Sequence, residues 1–279
     1  MTDQQYSPGG FRLLPPVVKN LLIVNGLFFL ATYSLGTAFN LDLRETLGLH
    51  FFKSDAFRPY QFVTYMFIHN DFQHILYNMF ALWMFGYLLE NVWGPKRFLT
   101  YYMLTGIGAA VVQTFMIWWS FSSIESAVAI YSQAPAVDSF IALVRHHFPQ
   151  YYDGNGTIRT FITAWAASPK DPGMASQSVD FLHQLIKLRM DVSTIGASGA
   201  VYGILLAFGM MFPNMLVYIY FLFPIRAKWL VLIYGGIEVF SGISDNPSDN
   251  VAHFAHLGGM IFGVILILYW RKRAGGNYF

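Results

Sequence analysis

The sequence predicts an all-α polytopic membrane protein. It is expected to form a single domain over residues 1–279 with six transmembrane helices and an extramembrane insertion between the third and fourth. Two observations support this. The chain is 55% hydrophobic and only 11% charged, whereas a soluble domain carries about 25% charged residues. Several apolar runs are also long enough to cross a bilayer. The net charge of only +2 argues against a nucleic-acid partner.

The first half of the chain contains three predicted spans. They cover residues 21–39, 75–89 and 98–121. The first run follows two prolines and lacks a small-residue cleavage pattern, so we expect it to be retained and not removed as a signal peptide. The connection 40–68 is rich in aromatic residues, which are typical of the membrane interface. We therefore expect this connection to be partly embedded.

The segment 122–190 interrupts the apolar pattern and is the predicted extramembrane insertion. It is polar and contains turn signals such as Asp-Gly-Asn-Gly. Two stretches within it, 137–148 and 179–190, have apolar residues at helical spacing. We expect these two stretches to form short helices that lie on the bilayer or on the spans.

Three further spans follow the insertion. They cover residues 196–212, 229–243 and 252–270. The fourth span is short, about 25 Å at the rise of an α-helix, so its first turn can lie below the membrane surface with water above it. The polar loop 244–251 contains a proline and several turn formers. We expect it to form a mobile cap over this region.

Basic residues in short segments predict the orientation of the spans. If the amino terminus is cytoplasmic, the cytoplasmic segments hold a group of basic residues: Arg12, Lys19, Lys96, Arg97, Arg226, Lys228, Arg271, Lys272 and Arg273. The short outer loop 244–251 holds no Lys or Arg. Six alternating spans then place Ser198 and His256 at the outer ends of their helices.

Ser198 and His256 each begin a span that continues as a stripe of small residues four apart. The small-residue stripes are Gly199, Gly203 and Ala207 in the fourth span, and Ala255, Gly259 and Gly263 in the sixth. Such faces allow close approach of two helices, and the hydroxyl and imidazole would then meet. A serine becomes a nucleophile when a base accepts its proton. We expect no acid beside this pair, so it is predicted to act as a dyad.

Each of these residues also has a purely structural interpretation. Ser198 is compatible with a packing face on which its hydroxyl bonds a carbonyl one turn back. A neutral His256 is compatible with a hydrogen bond across the bundle. Tyr202, one turn after Ser198, can stack under the imidazole or be ordinary core.

The start of the second span contributes two further donors, His74 and Asn78. They are four residues apart and therefore share one helix face. Two donors on one face are what the oxyanion of an acyl transfer requires. The structural alternative is a pair of hydrogen bonds between helices.

A zinc site is the chemical alternative to a serine site. Four histidines provide possible ligands: His69, His74, His253 and His256. The chain has no cysteine and no His-Glu-x-x-His sequence, and we expect a zinc ion here to lack a carboxylate base. The favoured prediction therefore contains no metal and no cofactor.

Together, three motifs resemble the rhomboid family of intramembrane serine proteases. They are His69-x4-His74-x3-Asn78, Gly196-Ala197-Ser198-Gly199 with Tyr202, and Ala255-His256-x2-Gly259-x3-Gly263. The resemblance implies six helices around a water-accessible cavity, with Ser198 as nucleophile and His256 as base.

The same resemblance implies roles for the surrounding residues. His74, Asn78 and the backbone amide of Ser198 would form the oxyanion hole. His69 would have a structural or water-organising role, and Tyr202 would support the base. Gly196 and Gly199 would support the nucleophile.

The chain departs from the family pattern in two places. Tyr60-Gln61 stands where the family often has Trp-Arg, so the hydrogen-bond network of the first connection must be built differently. The insertion 122–190 stands where the family usually has a short connection, and the family gives no role for it.

We therefore expect an endopeptidase of the lipid bilayer that cleaves transmembrane or juxtamembrane segments of other membrane proteins. The alternative is a non-catalytic membrane protein of the same fold that binds such segments without cleaving them. A transporter is a third alternative, which would require paired carboxylates within the spans. We expect a multi-pass protein of the bacterial inner membrane, and no particular oligomeric state is predicted.

Overall fold

Four apolar helices dominate the computed structural model, which describes residues 11–154, 156–219, 222–244 and 251–273. Each is long and apolar enough to cross a membrane: α1 (Pro16–Phe39), α5 (Pro95–Tyr131), α11 (Ala227–Ser244) and α12 (His253–Arg273). Large apolar side chains are exposed along all four, as expected for surfaces that face lipid and not water. The protein is therefore a predominantly helical, multi-pass membrane protein.

Helices α4 (Phe72–Trp93) and α10 (Ser198–Met211) lie where the second and fourth spans are predicted. Helix α10 has only 14 residues and packs against α4, α5, α11 and α12. Ten of its residues are buried, which is the arrangement expected of a helix that is apolar on every face. Ser198, its first residue, is consequently held at the end of a helix that neighbouring helices surround.

Glu90, near the end of α4, fixes the start of α1. Its buried carboxylate accepts hydrogen bonds from the backbone amides of Val17, at 2.9 Å, and Val18, at 2.8 Å. These amides have no partner within their own helix, and the positive end of the helix dipole favours the negative charge. Gly94 then joins α4 to α5 with a φ of 78°, a conformation that glycine adopts readily.

The connection between α1 and α4 contains α2 (Leu43–Leu47), α3 (Gln61–Thr64) and a 3-10 turn over Tyr65–Phe67. Gln61 is fully buried here. Its side-chain oxygen accepts from the amides of His50 and Arg58, and its nitrogen donates to the carbonyls of Thr46 and Ala56. These four bonds are the network that stands where the family often has Trp-Arg.

We expect Gln61→Leu to destabilise the protein by about 3 kcal/mol, because four backbone groups lose the hydrogen bonds that this buried side chain makes. The measurement is thermal unfolding of the purified protein in detergent. Gln177→Leu is the control, since Gln177 is exposed. Equal unfolding temperatures for the two variants would contradict this assignment.

The predicted insertion contains more helix than the two stretches expected. Helix α5 continues ten residues beyond its predicted end, and four helices follow: α6 (Val137–His147), α7 (Pro149–Gly154), α8 (Gly156–Ala167) and α9 (Pro172–Met190). The stretch 137–148 corresponds to α6, whereas 179–190 is the second part of the longer α9. These helices share a separate apolar core that includes Phe140, Trp165 and Leu182. Phe51 of the first connection is buried in the same core.

The structure also contains a β-hairpin, so the prediction of a purely helical fold is wrong at one place. Strands β1 (Leu216–Ile219) and β2 (Phe223–Arg226) pair antiparallel with Val217 opposite Ile225. The hairpin lies in the apolar segment 213–228, where β-branched and aromatic residues favour strands. Residues 245–250, most of the predicted cap loop, lie outside the described residues.

Candidate active site

Ser198 and His256 meet between the starts of α10 and α12. The Nε2 atom of His256 lies 2.8 Å from the Oγ atom of Ser198, and the histidine is only 7% exposed. This distance is that of a good hydrogen bond. The hydroxyl and a possible base are therefore paired before any substrate binds.

The two helices approach each other most closely at Gly199 and Gly259. A Cβ atom on Gly259 would overlap the carbonyl oxygen of Gly199, and a Cβ atom on Gly199 would overlap that of Ala109 in α5. Both positions therefore require glycine. The predicted contact between the small-residue stripes is present at this level.

Further along the stripes, the partner is α5 and not the opposite stripe. A Cβ atom on Gly203 would lie 2.7 Å from the Cβ of Thr105, and one on Gly263 would overlap the hydroxyl of Tyr101. The Tyr101 hydroxyl also donates to the Gly203 carbonyl at 2.9 Å. Helix α5 thus fills the space between α10 and α12, which the pattern of either stripe alone does not predict.

The chain segment before α10 is fixed by the first connection. Leu49 and Thr194 exchange two backbone hydrogen bonds of 2.9 and 2.8 Å. The amide of Gly196 then donates to the carbonyl of Tyr65 at 2.9 Å. Ser198 consequently starts its helix from a position that the connection determines.

Tyr202 packs flat against the base. Its ring lies 4.2 Å from that of His256, with only 7° between the two planes. This is the stacked position that the one-turn spacing from Ser198 makes possible. The Tyr202 hydroxyl donates a hydrogen bond to the carboxylate of Glu238.

Glu238 shows that the prediction of no acid beside the pair is wrong. Its carboxylate is 4% exposed and lies in α11. Its Oε2 atom is 2.6 Å from Nδ1 of His253 and 3.0 Å from Nδ1 of His256. The second contact is a close approach and not a hydrogen bond, since Nδ1 of His256 has no hydrogen-bond partner in the described part of the chain. The available signal was a carboxylate within the apolar run 229–243, which is costly in a membrane and typical of a functional residue.

His74 faces the nucleophile from α4. Asp71 caps the helix by accepting from the His74 amide at 2.8 Å, and the amide of Asn70 donates to the Nδ1 atom at 3.4 Å. Because Nδ1 accepts, a neutral His74 carries its proton on Nε2. A Cβ atom on Gly196 would lie 2.7 Å from this Nε2 and 3.7 Å from the Oγ of Ser198. The donor and the nucleophile therefore border the same small space.

Gly196 keeps that space open. Its φ is 120°, a conformation that favours glycine, and any side chain would fill the gap beside His74. Gly196 and Gly199 thus flank Ser198 for different reasons: the first leaves a gap, and the second allows helix contact.

Asn78 is buried one turn below His74, and its Nδ2 atom donates to the His74 carbonyl at 3.0 Å. One of its two amide hydrogens is therefore used within its own helix. His69 is fully buried, with its ring edge-on to His74 at 5.0 Å. Burial lowers the pKa of His69 to about 3, so this ring is neutral and packs behind His74.

The predicted four-histidine metal set does not form one group. Among the described residues, His253 and His256 cluster with Glu238, with one ligand atom from each within 4.8 Å of the others, whereas His69 packs on His74. Two histidines and a glutamate are a ligand set that zinc accepts. Glu238 would be a ligand in this set, so it does not supply the carboxylate base that we expect a zinc ion here to lack.

Known proteins resemble this chain over most of its length. The Rhomboid domain model matches residues 56–120 and 156–273. An uncharacterized mitochondrial rhomboid protein of Schizosaccharomyces pombe is 22% identical over 96% of this chain and 69% of its own length. The mitochondrial RHOMBOID-like protein 12 of Arabidopsis thaliana is 24% identical over 94% of this chain and 60% of its own length.

A third relative is similar over a shorter stretch. The chloroplastic Rhomboid-like protein 11 of Arabidopsis thaliana is 28% identical over 38% of this chain and 39% of its own length. The domain model covers well over half of this chain, including the helices that carry Ser198, His256 and His74. The chain therefore belongs to the rhomboid family.

Proposed function

We propose that this protein is an intramembrane serine endopeptidase that cleaves transmembrane or juxtamembrane segments of other membrane proteins. The main support is the 2.8 Å contact between the Ser198 hydroxyl and the His256 imidazole. Membership of the rhomboid family supports the same reaction class. A hydroxyl beside a nearly buried imidazole is the minimal arrangement for nucleophilic acyl transfer.

In the proposed reaction, the Oγ atom of Ser198 attacks the carbonyl carbon of the scissile peptide bond, and the hydroxyl proton passes to Nε2 of His256. The tetrahedral intermediate then loses its amine, which takes that proton from His256. Water, activated by the same imidazole, releases the carboxylic acid from Ser198. The reaction needs no group beyond the chain, its substrate and water.

The oxyanion would be stabilised by donors beside Ser198. The His74 Nε2–H borders the open space next to the hydroxyl. The Ser198 amide lies in the first turn of α10 and has no partner within its helix, and the helix dipole favours negative charge there. Asn78 would contribute its second amide hydrogen after a rotation toward this space.

The topology of this proposal has six spans, with α4 and α10 added to the four long apolar helices, and a cytoplasmic amino terminus. The insertion 122–190 would lie outside the membrane on the side of the catalytic pair. A helical substrate must unwind locally, because its peptide carbonyls are hydrogen-bonded and shielded. Small or helix-breaking residues at the cleaved bond are therefore expected.

The relatives are named as proteins of mitochondria and chloroplasts. These names give no support to the expectation of a bacterial inner membrane. The locations are those of the relatives and are not assigned to this chain. The protein is a multi-pass membrane protein of the rhomboid family.

Reaction with a fluorophosphonate probe tests the proposed function. We expect the purified protein in detergent to be labelled once per chain and Ser198→Ala to be unlabelled, because only an activated serine reacts. Ser193→Ala is the matched control, since Ser193 is a nearby, partly buried serine that donates to the Arg44 carbonyl. Folded wild-type protein that remains unlabelled would contradict the proposal and favour the non-catalytic binding protein.

A further inference from the structure

Glu238 has no part in the reaction as proposed, yet it is in contact with the base. Its buried carboxylate faces residues from two neighbouring helices: Tyr202 of α10, and His253 and His256 of α12. A carboxylate at this depth is costly unless hydrogen bonds satisfy it. Two hydrogen bonds, from Tyr202 and His253, hold the acid beside the proposed base, and Nδ1 of His256 lies 3.0 Å from it.

The hydrogen bond between Ser198 and His256 determines which nitrogen of the imidazole must carry the proton. For Nε2 to accept the hydroxyl proton, a neutral imidazole must carry its own proton on Nδ1. That Nδ1 atom lies 3.0 Å from Oε2 of Glu238. A carboxylate at this position favours the correct tautomer and stabilises the positive charge that forms during attack.

Each carboxylate oxygen of Glu238 has a hydrogen-bond partner from a neighbouring helix. The Nδ1 atom of His253 is 2.6 Å from Oε2, and the Tyr202 hydroxyl donates to Oε1. Tyr202 also stacks on the ring of His256. The acid and the imidazole are therefore held by the same tyrosine, which limits the movement of one against the other.

We propose that Glu238 is a positioning residue that converts the pair into a Ser198–His256–Glu238 triad. This inference rests on the proposed function. Glu238 touches neither the substrate nor the reacting atoms, and acts through Nδ1 of His256.

The test compares Glu238→Gln with wild type in the rate of phosphonylation by the fluorophosphonate probe. In this reaction an Oγ–P bond forms, the P–F bond breaks, fluoride leaves and the hydroxyl proton passes to His256. We expect the maximal rate at saturating probe to fall about 10²- to 10⁴-fold. The half-saturating probe concentration should be unchanged, because Glu238 does not contact the probe.

Glu90→Gln is the matched control. Glu90 is also a buried carboxylate within the bundle, but its partners are the amides of α1. The final amount of labelled Ser198 measures the competent fraction of each variant, so a loss of folded protein is separated from a slower reaction.

Tyr202→Phe keeps the stacked ring and removes one bond to Glu238. It should lower the maximal rate about tenfold and serves if Glu238→Gln does not fold.

Three outcomes would overturn the inference. One is a maximal rate for Glu238→Gln within about threefold of wild type, or, if that variant does not fold, an unchanged rate for Tyr202→Phe. Another is an equal loss of rate in Glu90→Gln. The last is a wild-type rate that a chelator lowers and zinc restores, because the cluster would then hold a metal. Failure of wild type to label at all would instead refute the proposed function.

Discussion

Gly259→Ala is expected to push α12 away from α10, to destabilise the protein by about 3 kcal/mol, and to remove most labelling of Ser198. The added methyl group would overlap the carbonyl oxygen of Gly199. This atom belongs to the backbone, so no side-chain rotation relieves the overlap. The affected contact lies one turn from His256 and directly beside Ser198, and the 2.8 Å hydrogen bond between them would be broken.

Thermal unfolding in detergent and the rate of probe labelling measure the two effects. Gly236→Ala in α11 is the matched control, because a Cβ atom there would have no neighbour within 4 Å. Alanine favours a helix over glycine by about 1 kcal/mol, so this variant should be slightly more stable than wild type. Equal stability of the two variants would show that the helices are not in contact at Gly259.

The contact at Gly259 was predictable because close helix packing requires a simple sequence pattern. Small residues four apart mark a face, and a polar residue at the start of each face marks its level. The prediction that the two stripes face each other does not hold at Gly203 and Gly263, because these residues pack against α5. A stripe shows that a backbone comes close without indicating which neighbour approaches it.

The position of Glu238 beside Ser198 and His256 is not predictable from a motif, for another reason. Glu238 belongs to no motif with Ser198 or His256, and it lies on a helix whose other residues are mostly exposed. Its partners come from α10 and α12, so only the packing of three helices brings them together. An acid within an apolar run was nevertheless a sufficient reason to look for donors on the neighbouring spans.

The insertion and the hairpin were predicted least well, again for physical reasons. Helices α7 and α8 are short and are stabilised by an apolar core formed with α5, α6 and α9. Their local sequence pattern is correspondingly weak, because tertiary packing provides most of the stability of such helices. The hairpin depends on pairing between β1 and β2, which an apolar segment alone does not specify.

His256→Ala is expected to have the largest effect on chemistry. Loss of the base should slow phosphonylation of Ser198 by about 10⁴-fold or more, because the hydroxyl proton no longer has an acceptor. His183→Ala on the surface of α9 is the control, since that histidine is exposed. Labelling of His256→Ala at the wild-type rate would contradict the assignment of the base.

Imidazole added to His256→Ala distinguishes a missing base from a damaged fold. Removal of the ring leaves a gap beside the flat face of Tyr202, which stacks on the imidazole at 4.2 Å in the native protein. Glu238 borders the same gap, so a free imidazole can stack there and orient its N–H toward the carboxylate. We therefore expect the labelling rate of His256→Ala to rise with imidazole concentration, whereas Ser198→Ala should stay unlabelled at every concentration. Because a structural histidine would give no such recovery, rescue that also requires Glu238 would assign both the base and the acid that orients it.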